Sequence, residues 1–171
     1  MLEIRTQNQE DAPAVHRVNA LAFERDAEAQ LVEVLRLAPD SIPELSLVAL
    51  LDGEIVGHIL FSPIVIETPD GTIPAISLAP MAVLPAVQNR GVGSALVRWG
   101  LESCRSLGHR IVIVLGHIDY YPRFGFSAAA AKNLVCPFGD AGEAWMAIEL
   151  QPGALEGVHG TVRYPPEFEG V

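Results

Sequence analysis

Residues 81–96 read MAVLPAVQNRGVGSAL, which is an apolar stretch followed by a polar, glycine-containing turn and the start of an amphipathic segment. This order predicts a β-strand, a tight turn and an α-helix. Gly91 and Gly93 lack side chains, so a ligand can approach the backbone closely. The first N–H groups of a helix have no intrahelical partner and lie at its positive end. The turn is therefore a candidate anion site, with Gln88 and Arg90 as additional donors at its mouth.

Two well-known phosphate-binding turns do not match this stretch. A nucleotide P-loop needs a lysine directly after its last glycine, whereas the chain's single lysine is Lys132. A dinucleotide-binding turn needs a third glycine, and Leu96 occupies that position. Because two glycines at this spacing are common, a plain strand-to-helix turn stays open as an alternative on these residues alone.

Alternating apolar residues before the turn predict an antiparallel meander. Its strands lie at 44–51, 54–67 and 72–84, and Asp52-Gly53 forms the first hairpin turn. Pro80 cannot donate to a strand ladder. We therefore expect a bulge or a break of pairing in the third strand, which would leave backbone groups available to a ligand.

The remaining elements follow from helical spacing and from one apolar run. A short N-terminal strand precedes two helices, the first capped by Asn8 or Asp11 and the second ending near Leu37. After the turn, helical spacing relates Val92, Leu96, Trp99, Ser103 and Leu107. A nearly all-β-branched run at 110–115 predicts a strand buried on both faces, and 144–150 predicts a late strand.

The predicted order is β-α-α-β-β-β-α-β-α-β. It describes a mixed α/β domain flanked by helices, with an antiparallel N-terminal meander and then one right-handed parallel crossover. We expect one domain at 1–150 and a C-terminal extension at 151–171 that lies on or near it, partly extended along the surface.

Composition excludes several classes of protein. The chain has 171 residues, and its 11 Lys+Arg against 21 Asp+Glu give a net charge of −10. This acidic chain without a basic run is a poor ligand for nucleic acid or for an anionic membrane. Cys104 and Cys136 form no metal or disulfide pattern, the N-terminus is too polar for a signal peptide, and no apolar run could span a bilayer. A reducing cytoplasm is the expected location.

Three blocks of sequence resemble the GNAT superfamily of N-acyltransferases, and within it a bacterial group of predicted acetyltransferases. The first is 81–96, whose Gln88-x-x-Gly91-x-Gly93 matches the acyl-CoA signature. The second is YYPRFGF at 120–126, which resembles the superfamily's Tyr-x-x-x-Gly-Phe block, and the third is the hairpin LDGEIVGH at 51–58. The resemblance covers roughly residues 1–150 and implies a GNAT-like mixed sheet.

The resemblance also implies how a cosubstrate is held. Acetyl-CoA is the expected cosubstrate, and no metal is expected. The pantetheine arm would pair with the backbone of the strand at Met81, Ala82 and Val83, and the Val83 amide would polarise the thioester carbonyl. The pyrophosphate would bind the N–H groups of the turn, which are those of Gln88, Asn89, Arg90, Gly91, Val92, Gly93 and Ser94.

Tyr121 matches the superfamily tyrosine that protonates the leaving thiolate, although a half-buried packing role is the alternative. The base that deprotonates the amine is less well defined. His117 has the most suitable ordinary pKa, and a water chain is an equal alternative. The other candidate bases are four acidic residues, Asp119, Glu24, Asp26 and Glu28. We expect those that belong to a helix to lie on its solvent-exposed face.

The function predicted from the sequence is acetyl transfer from acetyl-CoA to a primary amine of a small molecule or a protein. A non-catalytic acyl-CoA sensor is the alternative. No nucleic acid or membrane partner is expected, and a homodimer is compatible with the resemblance.

Overall fold

The computed structural model of the chain describes residues 1–169 and 171. Its α-helices are α1 (Ala12–Phe23), α2 (Ala27–Arg36) and α3 (Val92–Ser106). Its strands are β1 (Leu2–Thr6), β2 (Ser46–Leu51), β3 (Glu54–Thr68), β4 (Gly71–Val83), β5 (Ile111–Leu115), β6 (Leu134–Val135), β7 (Trp145–Glu149) and β8 (Gly160–Arg163).

The eight strands form one mixed sheet. Six of them follow the order β1-β2-β3-β4-β5-β7, and β8 pairs with both β3 and β6. The pairs β1–β2, β2–β3, β5–β7 and β3–β8 are antiparallel. The pair β4–β5 is parallel, with α3 between the two strands in sequence. The predicted mixed α/β architecture, with a meander followed by one parallel crossover, is therefore confirmed.

The bounds of the meander strands agree with the sequence pattern to within two residues. Asp52 and Gly53 both have positive φ, 51° and 85°, as a tight hairpin turn of this kind requires. Around Pro80, β4 stays one strand to Val83. Its parallel register with β5 comprises Ile76 opposite Val112 and Ser77 opposite Ile113, and so stops before Pro80, as expected.

Three details differ from the sequence expectations. No α-helix lies between β5 and β7, because the glycines and the proline of 116–126 permit only the short 3-10 turn Tyr121–Phe124. The strand β6 has only two residues, which is too short for an alternating hydrophobic pattern to be recognised in the sequence. The C-terminal segment does more than run along the surface, since Gly160–Arg163 joins the sheet beside β3 and buries Val162 completely.

The chain divides into two compact units. Unit 1 comprises Met1–Ser62, Ala79–Ser103 and Pro166–Val171, and unit 2 comprises Pro63–Leu78 and Cys104–Pro165. In unit 1, α1 packs on α2, and α2 contacts the 3-10 turn Pro166–Phe168.

Helix α3 buries a different face from the one that the spacing suggested. Val92 and Leu96 are buried as expected, but the Trp99 side chain is 53% exposed. The buried face is centred near Gly100, where the Phe61 ring leaves no room for a side chain: a Cβ there would lie 2.1 Å from the ring. Trp99 therefore lies at the edge of the packed face.

Unit 2 has a hydrophobic core of its own around β5, β7 and β8. Trp145 is buried in it and donates its indole N–H to the Leu134 carbonyl at 2.9 Å. The larger set of buried core residues is Ile64, Ile66, Ala75, Ile111, Ile113, Ala131, Leu134, Ala147, Ala154 and Val162.

A buried polar chain crosses unit 1 from α1 to the end of β1. Asn19 Nδ2 lies 3.0 Å from the Val15 carbonyl and 3.3 Å from His58 Nδ1. His58 Nε2 lies 3.0 Å from Ser46 Oγ, which donates to Gln7 Oε1 at 2.6 Å. His58 and Asn19 are 0% exposed, and burial lowers the pKa of His58 to about 3. The imidazole is therefore neutral in the folded protein.

This buried histidine predicts how stability depends on pH. Its pKa is lower in the folded chain than in the unfolded chain, where it is about 6.5. The unfolded state therefore binds a proton first as pH falls. We expect the free energy of unfolding to fall by about 1.4 kcal/mol per pH unit from this group alone, from about pH 6.5 downward.

Chemical denaturation of the wild type and of His58→Gln at pH values between about 4.5 and 7.5 measures this slope. Gln keeps a donor towards Ser46, and the variant should lose the histidine contribution to the slope. His159→Gln, at an exposed histidine, is the matched control and should retain the His58 contribution. An identical slope in His58→Gln and the wild type would contradict the assignment.

Candidate active site

The segment between β4 and α3 is held at both ends on β3. At its start, the Leu84 N–H donates to the Val56 carbonyl at 2.8 Å. At its end, Val92 and Leu96 pack on Gly57, where an added Cβ would lie 3.0 Å and 3.1 Å from their side chains. Gly57 thus lets the first turn of α3 approach the sheet closely, and the position of the glycine turn is fixed by β3.

Left-handed backbone shapes the turn itself. Asn89 has φ 64° and Gly91 has φ 85°, and α3 begins at Val92. A Cβ built on Gly91 would meet nothing within 4 Å, so the space above this backbone is open. The turn therefore combines an accessible glycine backbone with the N-terminus of a 15-residue helix, which is the geometry that favours an anion.

Gln88 has a role that the sequence did not reveal. Its side-chain Nε2 donates to the Val83 carbonyl at 3.0 Å, so it closes the turn onto the end of β4. One N–H of this amide therefore forms a hydrogen bond within the chain. We had expected Gln88 to offer its donors to a ligand at the mouth of the turn. Arg90 is exposed beside it, whereas Met81 and Val83 are half-buried and Ala82 is buried. The ten predicted cofactor-binding residues, 81–83 and 88–94, all belong to unit 1.

Tyr121 lies in unit 2, in a pocket of aromatic rings and glycine. Its ring meets that of Phe126 edge-on at 5.8 Å and that of Tyr120 at 5.2 Å. A Cβ at Gly116 would lie 2.5 Å from the Tyr121 ring, so only glycine fits there.

Burial, together with the neighbouring Tyr120, raises the pKa of Tyr121 to about 12. The phenol is therefore protonated throughout the neutral range. Its hydroxyl makes no hydrogen bond to residues 1–169 or 171. The Tyr121 phenol is thus protonated and donates its hydrogen to none of the described residues.

His117 belongs to the same turn as Tyr121 and contributes its backbone. Its carbonyl accepts the N–H groups of Tyr120 at 3.1 Å and Tyr121 at 3.3 Å, while its side chain and that of Asp119 are exposed. Arg123 lies 4.6 Å over the Tyr120 ring and donates to the Asp119 carbonyl. Tyr120 therefore packs, as expected.

The acidic residues between α1 and α2 do not all form a solvated face. Asp26 is exposed, with its carboxylate 3.8 Å from His16 Nε2, and Glu24 ends α1 with a positive φ of 57°. Glu28, however, is only 6% exposed and forms a bidentate ion pair with Arg25. The expectation of a solvated face is wrong for Glu28, because the neighbouring guanidinium compensates its charge and permits burial.

The structure gives a packing role to several glycines that sequence reasoning did not single out. Gly57, Gly100 and Gly116 each lie against a side chain at a distance that excludes a Cβ without displacement. Gly57 occurs within the quoted hairpin block and Gly116 directly after a buried strand, so their positions were visible. The side chains that they contact could not be predicted, since each is either distant in the chain or brought close by a turn.

In the described part of the chain, no group of three or more His, Cys, Asp or Glu side chains is arranged to hold a metal ion. No helix within the described residues combines the length and apolar character needed to cross a membrane.

Known proteins resemble this chain in both sequence and structure. The acetyltransferase (GNAT) domain family matches residues 3–129. The chain is 36% identical over 166 residues to the uncharacterized N-acetyltransferase YhbS of Escherichia coli, which covers 96% of this chain and 97% of that protein. It is 39% identical over 153 residues to YjhQ of the same organism, covering 86% and 84%.

Solved structures give the same result. The crystal structure of YhbS from Escherichia coli in complex with CoA superposes with a TM-score of 0.85 at 34% identity, covering 98% of this chain and 91% of that one. A GNAT acetyltransferase from Brucella melitensis in complex with acetyl-CoA gives 0.81 at 32% identity, covering 99% of each. The chain therefore belongs to the GNAT acetyltransferase family.

Proposed function

We propose that this protein is an N-acetyltransferase that transfers the acetyl group of acetyl-CoA to a primary amine. The observation that carries the proposal is the open, left-handed Gly91 turn at the N-terminus of α3, held on β3 at both ends. The relatives solved with CoA and with acetyl-CoA support this choice of ligand.

The residues present fit this cosubstrate. The N–H groups of 88–94 would hold the pyrophosphate, since the Gly91 backbone is open and the helix N-terminus is positive. The backbone of Met81, Ala82 and Val83 would hold the pantetheine arm. We assign the Val83 N–H to the thioester oxygen because this oxygen needs a donor, whereas the Val83 carbonyl only accepts, here from Gln88 Nε2. Local backbone charge thus offsets the overall −10 of the chain.

Acetyl-CoA, when bound, supplies an activated thioester that a neutral amine can attack directly. Tyr121 is our proposed proton donor to the departing sulfur. Its raised pKa, about 12, keeps the phenol protonated at neutral pH, so that a proton is available for the sulfur. Gly116 and Phe126 hold the ring in place.

The acceptor must lose a proton before it attacks, because an alkylammonium has a pKa near 10. We propose that His117 or a water chain receives this proton, and the exposure of the His117 side chain is compatible with either. Asp119, Glu24 and Asp26 stay as alternative bases. Glu28 is a weaker candidate because Arg25 holds it as a buried carboxylate.

The acceptor we propose is cationic in its resting form. The excess of Asp and Glu would attract such an amine over a distance, so capture should weaken as ionic strength rises. A cytoplasmic location is part of the proposal, and the free thiols of Cys104 and Cys136 support a reducing compartment. A homodimer stays a prediction that analytical ultracentrifugation can test.

The turn predicts the effect of a charge at Gly91. Gly91→Glu should weaken CoA binding by more than about tenfold, because it places a carboxylate where phosphates are proposed to bind. Gly91→Ala introduces the same strain at a left-handed backbone position without the charge, and so separates the effect of strain from that of the carboxylate. Gly108→Glu is a matched control, since Gly108 also has positive φ and open space but lies past the other end of α3. Isothermal titration with CoA measures all three.

The control should bind CoA with an affinity close to that of the wild type. Wild-type affinity in Gly91→Glu would remove the phosphate from this turn. A chain that shows no rise in melting temperature at millimolar acetyl-CoA would count against the whole cosubstrate proposal.

Tyr121→Phe tests the proton donor and keeps the ring packing. We expect turnover to fall by about a hundredfold or more, with little change in acetyl-CoA affinity. Release of free thiol over a panel of primary amines measures turnover, and a pH profile should show no loss from tyrosine ionisation below about pH 10. Tyr120→Phe is the matched control.

Normal turnover in Tyr121→Phe would rule out the proton-donor role. Tight acetyl-CoA binding by the wild type without thiol release on any amine would favour the acyl-CoA sensor instead.

A further inference from the structure

A cavity lies wholly within unit 1, between α1, α2 and the end of β1. Its volume is about 270 Å³, below the range of drug-sized sites but adequate for a small molecule. Ala12, Val15, Ala29 and Val32 provide apolar walls. None of the residues assigned above to acetyl-CoA or to proton transfer lines it.

The buried polar chain fixes which end of the Gln7 amide is bonded to Ser46. The Val15 carbonyl can only accept, so Asn19 must direct its NH2 group there, and the same NH2 group reaches His58 Nδ1. His58 Nδ1 is then an acceptor, and the ring proton lies on Nε2 and points to Ser46 Oγ. Ser46 in turn donates to Gln7 Oε1.

Gln7 lines the cavity, and its NH2 group is the end of the amide that Ser46 does not use. The side chain is nearly buried, since Gln7 is 5% exposed, and its Nε2 has no partner among the described residues. An NH2 group without a protein partner, on a side chain that is nearly buried, depends on a ligand or on water for its hydrogen bonds.

Arg36 brings a positive charge to the same cavity. It is half-buried at the C-terminus of α2 and makes no hydrogen bond or salt bridge with the described part of the chain. The negative charge in the lining, Glu33, is already engaged by His16 Nδ1 at 2.6 Å. Asp11, which Arg36 influences electrostatically, is held by Arg5 in a bidentate pair. The unengaged charge in the lining is therefore the positive charge of Arg36.

We propose that this cavity binds a small carboxylate with an apolar body, whose oxygens accept from Gln7 Nε2 and from the Arg36 guanidinium. The apolar walls contact the aliphatic part. A guanidinium and an amide NH2 group pair well with a carboxylate, whereas they offer no acceptor to an ammonium. The site is independent of the proposed acetyl transfer.

The test is a two-dimensional NMR titration of the 15N-labelled full chain with isobutyrate, isobutyramide and isobutylamine, which share one apolar body. We expect saturable shifts for isobutyrate, localised to α1, α2 and the Gln7 side-chain NH2 signals. The amide should bind more weakly, and the amine should not bind at this site. Equal responses to isobutyrate and isobutyramide, preference for the amine, or no saturable response at millimolar isobutyrate would overturn the proposal.

Three variants locate the site. Gln7→Glu keeps the acceptor for Ser46 but replaces the cavity donor by a carboxylate oxygen, and Arg36→Met removes the charge. Each should weaken isobutyrate binding by about tenfold or more. Arg36→Lys keeps a charge at the helix end and should retain part of the affinity. Arg17→Gln, at an exposed arginine of α1 outside the cavity, should bind like the wild type.

Binding is read from shifts of the folded spectrum, so a stability loss in Arg36→Met does not decide the outcome. Unchanged affinity in both Gln7→Glu and Arg36→Met would overturn the site.

Discussion

A short part of β3 holds both ends of the segment that joins β4 to α3. Val56 accepts the Leu84 N–H, and Gly57 receives the side chains of Val92 and Leu96. Because the strand has no side chain at Gly57, the helix begins against the sheet, and the left-handed backbone at Asn89 and Gly91 lies between these two anchors. The proposed phosphate site and the proposed pantetheine contacts both depend on this arrangement.

The same strand carries His58, directly after Gly57, and with it the buried polar chain of unit 1. A neutral imidazole there donates in one direction only, which sets the orientation of Ser46 and of the Gln7 amide. The proposed carboxylate cavity thus owes its donor character to a residue that does not line it. Neighbouring residues of β3 therefore serve two different proposed ligands, one through the absence of a side chain and one through the direction of hydrogen bonds.

Much of this could be predicted from the sequence. The period-two runs gave the strands β2, β3 and β4 to within two residues, and the glycine turn pointed to the family that the comparisons then showed. Prediction failed where a strand is too short to show an alternating pattern, as in β6. It also failed where helical spacing was compatible with more than one buried face of the helix, as at Trp99. It also failed for Glu28, whose burial depends on the guanidinium of Arg25.

By itself the sequence determined the order of elements, the glycine-containing turn and the tyrosine block, because these depend on local spacing and on residue types that few other local structures tolerate. Only the tertiary structure decided that Gln88 donates to the Val83 carbonyl, that Gly116 makes room for Tyr121, and that Ser46 donates to Gln7 Oε1. Each of these depends on a partner that folding brings close and on the direction of a hydrogen bond or the space for one atom, and no pattern along the chain encodes such distances.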